Sequence, residues 1–594
     1  RLVGLSAGIQ RYGRNFIHFL IGKTMKRIGK IAVLAVTTLT AASCSLLDVE
    51  PTVIMKDTYY NTEQEVLHGL AGVYGAMNNE DFYGSNYSII CSLNDDLSYC
   101  RASSATYQID FLEHSAGSIE VYNLWTAIYK GVKNANAFMN AMRDSDLDPD
   151  GFYYHEGRFM RAYYHFLLAQ CWGDVPLLDF ENTSAQKLHI AKTPQYDVLK
   201  WVIDEMDACL DYLPETLDNA PSRVTRTTAE GILARVCLFT AGATVDRGAD
   251  SADDYYKKAM DYSWAVIDSG LHDLNPDYSD VFIRMISDKY DTQYRESMWE
   301  VEFKGNREDA NNWTNGRIGE LNGLQSSPSG NYDQCKCNYS YARYNGSLYL
   351  WDLYWQTDRT DDEQAQKTIS DVRQNWNMPP YNYAGSTVVG PYDDPDGGKT
   401  TCTAGIDKTP YVYSGVATSA DPTVGGGMRN CGKFRRETVY EGVRSSPSLY
   451  NQINFPILRY SDVLLMYAEA YNEYNKTPSE DVYGYVVKVR NRAKIKTRPY
   501  SEYASYTAFR EFVRNERARE LCFEAIRKYD LIRWGIFVGQ LKKYAEWSQD
   551  IRWAATGNTA AQAARLATVR ERHIVLPVPS IEIGVNPSLK QHPL

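Results

Sequence analysis

Between Asn454 and Glu473 the chain reads NFPILRYSDVLLMYAEAYNE, and no other stretch narrows the possible folds so far. Val463 to Tyr467 are five consecutive apolar or amphipathic residues, and neither Gly nor Pro follows Pro456. A helix with such a run is apolar nearly all round, so it has to be buried inside a helical domain. Pro456 suits the first turn of that helix, where its missing N–H costs no bond. Arg459 and Asp462 are three apart and are expected to pair on one side. Glu469 and Glu473 must then find cations on neighbouring elements.

Helical periodicity recurs along the chain. Val66, Leu70, Val73 and Met77 predict a helix over 62–77, and a second is expected over Val121 to Met142. Arg158 to Leu178 reads as a helix stopped by Gly173 and Pro176. Ala162 and Phe166 within it have the A-x3-F spacing of tetratricopeptide helices. Ala229 to Gly242 and Asp253 to Asp268 form a further pair, closed by Gly270. Val482 to Ala493 and Phe509 to Trp534 follow the central helix. Two regions lack this rhythm: Asn79 to Ala116, read as long loops, and Asn275 to Ser446, rich in Gly, Asn, Asp, Ser, Tyr and Pro. So long an irregular insertion is functional or disordered, and its aromatics argue against disorder. Within 332–355 stand Tyr332, Tyr339, Tyr341, Tyr344, Tyr349, Trp351, Tyr354 and Trp355.

With 594 residues, 44% of them hydrophobic, the chain can bury a large core. Its 46 Tyr supply flat apolar faces with polar tips, suited to wet binding surfaces. Formal charge is −11, and residues 1–43 carry seven Lys/Arg and no Asp/Glu, leaving −18 on the remainder. Such a surface repels phosphate backbones, so no nucleic-acid partner is expected. The 11 Cys show no regular disulfide spacing. Cys171, Cys209, Cys237 and Cys522 lie in helical patterns and are expected as buried thiols. Pairing among Cys91, Cys100, Cys335, Cys337, Cys402 and Cys431 stays open, and Cys335-x-Cys337 lacks a second ligand pair for zinc.

The first Met is Met25, followed by Lys26, Arg27 and Lys30, the apolar run Ile31 to Ala42, and Ser43-Cys44. This order has the form of a secretory signal at 25–43, too short to span a bilayer, with small residues before a lipidated Cys44. Residues 1–24 are read as an over-extended N-terminus.

Three patterns bear on catalysis. Gly427 to Lys433 fits G-x4-G-K, but Phe434 stands where Ser or Thr would reach Mg²⁺ and no buried strand precedes it. Glu516, Glu520 and Glu524 share one helix face, yet no Glu-x-x-His partner completes a carboxylate metal site. Arg517, Arg519, Arg527 and Arg533 interleave with them, which favours an ion-pair network. A glycosidase would need two carboxylates at a set separation, and 74 acidic residues neither supply nor exclude that pair.

The central stretch resembles the signature segment of the SusD/RagB family. Several further segments agree in order: Cys44 to Pro51, the placements of Trp125, Tyr129 and Asn136, Val489 to Ala493, and the closing run from Pro577-Val578-Pro579 through Asn586-Pro587 to Gln591. The resemblance implies a mostly all-α fold of tetratricopeptide-like helix pairs over 44–594, with a loop-rich insertion at 275–446 carrying short strands. It also implies a lipid-anchored outer-membrane protein, without cofactor or catalysis, that captures glycan for a SusC-like TonB-dependent transporter. Sugar rings stack C–H faces on aromatic planes and offer hydroxyl edges to Asp, Asn and Arg. The family's ligand surface comes from the loops after the first helix and from the insertion. Tyr83, Tyr87, Asp95, Asp96, Arg101 and Tyr107 are the candidates in the first region. Asn312, Trp313, Tyr341, Arg343 and Trp351 are those in the second. An extracytoplasmic glycoside hydrolase or lyase and a helical protein-binding scaffold are the alternatives.

Overall fold

The computed structural model describes residues 59–101, 107–181, 189–217, 221–244, 252–305, 307, 314–328, 336–355, 371–379, 381–383, 409–410, 429–443, 446, 448–547 and 566–592. The signal segment, Cys44, Asn312, Trp313, Cys335 and Cys402 lie outside these residues. By contact the chain divides after Glu65, and the unit Val66–Leu594 carries the fold.

Helices come first in chain order: α1 (Glu63–Tyr74), α2 (Ile119–Met142), α3 (Phe152–Trp172), α4 (Gln195–Asp207), α5 (Arg226–Thr244) and α6 (Ala252–Asp268). The inserted layer contributes α7 (Tyr278–Ser287), α8 (Ile318–Leu321), α9 (Leu348–Trp355) and α10 (Val372–Asn377). Then come α11 (Tyr460–Asn475), α12 (Glu480–Arg492), α13 (Tyr506–Leu521), α14 (Arg527–Arg533), α15 (Phe537–Trp547) and α16 (Ser580–Val585). Each helix from α2 to α6 packs on the next, and α6 then packs on α11, which in turn packs on α12 and α13. The helix stack is thus continuous in space and interrupted in sequence. Among the described residues no helix is long and apolar enough to cross a membrane.

Among the described residues six short strands join the layers: β1 (Ser98–Cys100), β2 (Ser297–Val301), β3 (Tyr344–Gly346), β4 (Tyr381–Asn382), β5 (Thr409–Pro410) and β6 (Phe455–Arg459). They form three antiparallel pairs, β1 with β3, β2 with β6 and β4 with β5. Pro456 therefore does not open the central helix. It lies in β6 opposite Glu300, in a two-stranded ribbon where Pro is tolerated, and α11 starts only at Tyr460. From there the expectation holds: Val463, Leu464, Leu465 and Met466 are all fully buried.

The charges around α11 pair differently from the local expectation. Arg459 does not meet Asp462. Its guanidinium reaches Glu524 at 2.8 Å through both Nε and Nη2, and Glu296 and Glu520 at 3.0 Å through Nη1. Asp462 is held by Arg517 and Arg235, each at 2.6 Å. Glu469 finds Arg533, and Glu473 finds Arg510. Glu520 also binds Arg492 at 2.6 Å and Arg373 at 2.9 Å, while Glu516 binds Arg373, Arg490 and Arg519. The Glu516-Glu520-Glu524 row is thus an interior ion-pair network that ties α10, β6, α12 and α13 together. Lys433 belongs to it through a 2.5 Å contact to Glu524, which accounts for the end of the phosphate-loop lookalike.

The region over 79–116 is not the set of wet loops that its polar composition suggests. Asn79 caps Asp81 N–H, two π-helical turns run over Glu80–Gly84 and Asn86–Ile90, and β1 follows. Nearly every residue from Phe82 to Cys100 is buried. The eight described cysteines, among them Cys91, Cys100, Cys337 and Cys431, are buried thiols.

Candidate functional site

Pairing of β1 with β3 brings two distant loops together. Cys100 lies opposite Tyr344, and Arg101 N–H donates to the Arg343 carbonyl at 2.9 Å. Beyond the strand end, Arg101 Nε donates to the Ala342 carbonyl at 2.7 Å, and its guanidinium sits 4.8 Å from the Tyr341 ring centre. Ala342 takes a positive φ of 48°, a conformation held by backbone bonds to Glu320 and the Arg101 contact. Tyr341 is left 37% exposed.

Arg343 takes a different path. It is buried, bound to Asp110 through Nε at 2.8 Å, and its guanidinium lies 4.8 Å from the ring of half-buried Tyr107. Burial pushes the Asp110 carboxyl up, an effect that Arg343 and the Tyr344 hydroxyl oppose. The Tyr107 phenol faces Arg317, which binds Glu80 at 2.7 Å and Glu320 at 2.8 Å. Glu80 also accepts the Tyr450 hydroxyl at 3.1 Å, and the Arg307 guanidinium stacks 3.9 Å above the Tyr450 ring. Tyr339, half-buried, completes the set next to Tyr341 and Arg101. The result is one continuous face of partly exposed tyrosines, Tyr107, Tyr339, Tyr341 and Tyr450. Guanidiniums and the Glu80 carboxylate are held between them.

Of the residues singled out by sequence, Arg101, Tyr107 and Tyr341 lie on this face, and Arg343 supports it from below. The others are elsewhere. Tyr83 and Tyr87 are buried among the helices, where Tyr83 bonds the Tyr163 hydroxyl and Tyr87 donates to Gln170 at 2.9 Å. Both line an internal cavity of about 40 Å3. Asp95 accepts the N–H groups of Leu97 and Ser98, and Asp96 holds Arg527 through two 2.8 Å bonds. Trp351 is fully buried, with the Arg429 guanidinium 4.2 Å from its ring centre. These five side chains pack against interior partners and present no open face. Burial of their polar loops, invisible to composition, is the physical reason. Asn312 and Trp313 lie outside the described residues.

Glu80, Arg307, Arg317 and Tyr450 belong to the face without having been singled out. Glu80, Arg307 and Arg317 lie within the two loop regions, which is a weak positional signal, and Tyr450 lies outside both. Among the described residues no group of three or more His, Cys, Asp or Glu is placed to hold a metal.

Fold and face together define a class: a protein of stacked helix pairs whose inserted layer carries an aromatic, hydrogen-bonding surface. Residues 295–594 match the SusD family, and residues 45–238 match a second SusD-like family described as starch-binding associating with outer membrane. The chain belongs to the SusD family. It is 23% identical over 512 residues to SusD-like protein P2 of Formosa agariphila, covering 83% of this chain and 88% of that one. A SusD homolog from Bacteroides thetaiotaomicron superposes with a TM-score of 0.75 at 24% identity, covering 91% of this chain and 98% of that one. The surface glycan-binding protein A from Bacteroides uniformis gives 0.61 at 18% identity, covering 89% and 99%.

Proposed function

We propose that the protein captures oligo- or polysaccharide at the cell surface and passes it to a SusC-like TonB-dependent outer-membrane transporter, holding its ligand without turnover. The observation that carries this reading is the tyrosine face. Partly exposed rings at Tyr107, Tyr341 and Tyr450 offer planes for the C–H faces of sugars, and Arg101, Arg317 and Glu80 offer charged hydrogen bonds to hydroxyl edges. Membership of the SusD family and the glycan-binding neighbour support it. Cys44, once lipidated, would supply the anchor, since acyl chains contribute about 0.8 kcal/mol per buried CH₂ and two or more give stable attachment.

Affinity electrophoresis against a panel of polysaccharides tests the reading. Retardation of the wild-type chain that is lost in Tyr107→Ala and Tyr341→Ala supports it, and unchanged retardation of both variants removes this face as the site. New reducing ends after incubation with a retarded polysaccharide would replace capture with a hydrolase or lyase.

A further inference from the structure

We infer that a second subsite, specific for an oxyanion, adjoins the tyrosine face and takes a sugar unit carrying a carboxylate or a sulfate. This rests on the carbohydrate reading above. The subsite is a groove of about 520 Å3 formed by the end of α7, Lys304, Arg436 and the segment leading into β6. Ligand pockets commonly measure ~300–1,000 Å3, so a sugar ring with its substituent fits. Lys289, Lys304 and Arg436 line it against one carboxylate among the described residues, Asp288. The acidic residues Glu300 and Glu302 are close enough to interact with Asp288 but are not among the lining residues. No aromatic side chain is among the described residues lining the groove, so charge and hydrogen bonds rather than ring stacking must do the recognising.

Three observations give the groove its polarity. Arg436 is 3% exposed, and it donates to the carbonyls of Tyr339, Ser448 at 3.0 Å and Tyr450 at 3.2 Å. These carbonyls and the nearby Glu320 carboxylate offset only part of its buried charge, and burial pulls this guanidinium down to about 10. Asn451 Nδ2 and Ser287 Oγ, on two further lining residues, are buried and have no hydrogen-bond partner among the described residues. An incompletely compensated cation beside two unused polar groups is the environment a bound oxyanion satisfies. On the rim, Lys304 pairs with Asp288 at 3.0 Å and Lys289 with Glu441 at 2.5 Å, while the two lysines are 72% and 46% exposed. The Lys289–Glu441 pair is exposed on both sides and exchanges readily, whereas Lys304 reaches out from a largely buried Asp288. Arg436 also joins the groove to the face, because the carbonyls it holds belong to Tyr339 and Tyr450. One polymer can therefore lay a neutral ring on the tyrosines and direct an acidic neighbour into the groove.

Titration calorimetry on the full chain tests the inference, with trigalacturonate, its methyl ester, a sulfated galactan trisaccharide and neutral oligosaccharides as probes. The acidic probes, or one of them, are expected to bind at least about tenfold more tightly than the ester, with the preference fading as salt rises. Retention of only the carboxylate or only the sulfate probe names the source of the charge. Lys289→Gln/Lys304→Gln, both on exposed positions, is expected to cost about tenfold toward the acidic probe and nothing toward neutral ones. Equal affinity for acid and ester, neutral-only binding, or a double variant that keeps the preference overturns the groove and leaves carbohydrate capture standing. Failure of every oligosaccharide to bind the wild-type chain overturns capture, and the groove with it.

Discussion

Arg459 and Glu524 lie 65 residues apart and are joined by two 2.8 Å bonds, both side chains buried. The same guanidinium also serves Glu296 and Glu520, so one side chain at the end of β6 neutralises carboxylates from three segments. Breaking a buried ion pair by removing one partner costs ~3–5 kcal/mol, because the remaining charge stays desolvated. Arg459→Met is therefore expected to destabilise the chain by about that much, read from the chemical denaturation midpoint. The exposed pair Lys257–Asp261 is the control: Lys257→Ala should leave the midpoint where it is in the wild-type chain.

Stability should pass through a maximum in mildly acidic solution. Burial alone would raise Glu469 and Glu516, but Arg533 beside the first and Arg373, Arg519 and Arg490 around the second hold both carboxyls at about 2. An unfolded Glu titrates near ~4.3, so each contributes stability that is complete above roughly pH 5 and lost as pH falls toward 2, on the order of 3 kcal/mol each. Glu300 and Asp95 act in the opposite sense. Burial pushes both up to about 7, with Asp96 adding to the rise at Asp95. The folded state keeps their protons longer than the unfolded chain, so stability is lost as pH rises through 7. Thermal unfolding followed across pH 2 to 9 is expected to peak near about pH 5. Glu300→Gln should flatten the alkaline side alone.

Trp351 and Tyr341 are ten positions apart and should respond to Ala substitution in opposite ways. Trp351 is fully buried, and Trp→Ala in a core costs ~3–5 kcal/mol, so Trp351→Ala should lower the melting temperature while the folded fraction keeps its polysaccharide binding. Tyr341 is 37% exposed and its loss should leave the melting temperature within a degree or two of wild type, by rough expectation for surface sites, while weakening binding. Paired thermal shift and affinity electrophoresis on both variants separate the two effects.

Gly242 marks the closest approach of two helices. A Cβ there would meet the Arg533 carbonyl oxygen at 1.9 Å, so α5 and α14 could not keep their spacing. Gly242→Ala is expected to destabilise by more than about 2 kcal/mol, the range of overpacked cores. At Gly72 in α1 an added methyl would meet nothing within 4 Å, and Gly72→Ala should instead stabilise by about 0.5–1 kcal/mol through helix propensity. Denaturation curves of the two variants check the contrast.

Several elements were legible because they are local. The run Val463 to Met466 demanded burial on every side, and the spacing Val66, Leu70, Val73 marked a helix whatever its neighbours were. α7 lies inside the stretch read as irregular: Tyr278, Val281, Phe282 and Met285 stand at helical spacing and are all buried, but the polar residues around them masked the pattern. Pro456 misled because a residue compatible with a helix start is equally compatible with a two-stranded ribbon. The choice was made by β2, more than 150 positions away.

What the amino-acid order determined by itself was the helical class and the buried central helix, since these follow from spacing within a few turns. Tertiary structure alone decided which polar and aromatic side chains stayed outside. Tyr83, Asp96 and Trp351 went inward because Tyr163, Arg527 and Arg429 were waiting there, whereas Tyr107, Tyr341 and Tyr450 remained at the surface. A tyrosine or an aspartate can satisfy its polar atoms in either setting. Its exposure depends on partners brought near by folding, and that information is spread over the whole chain.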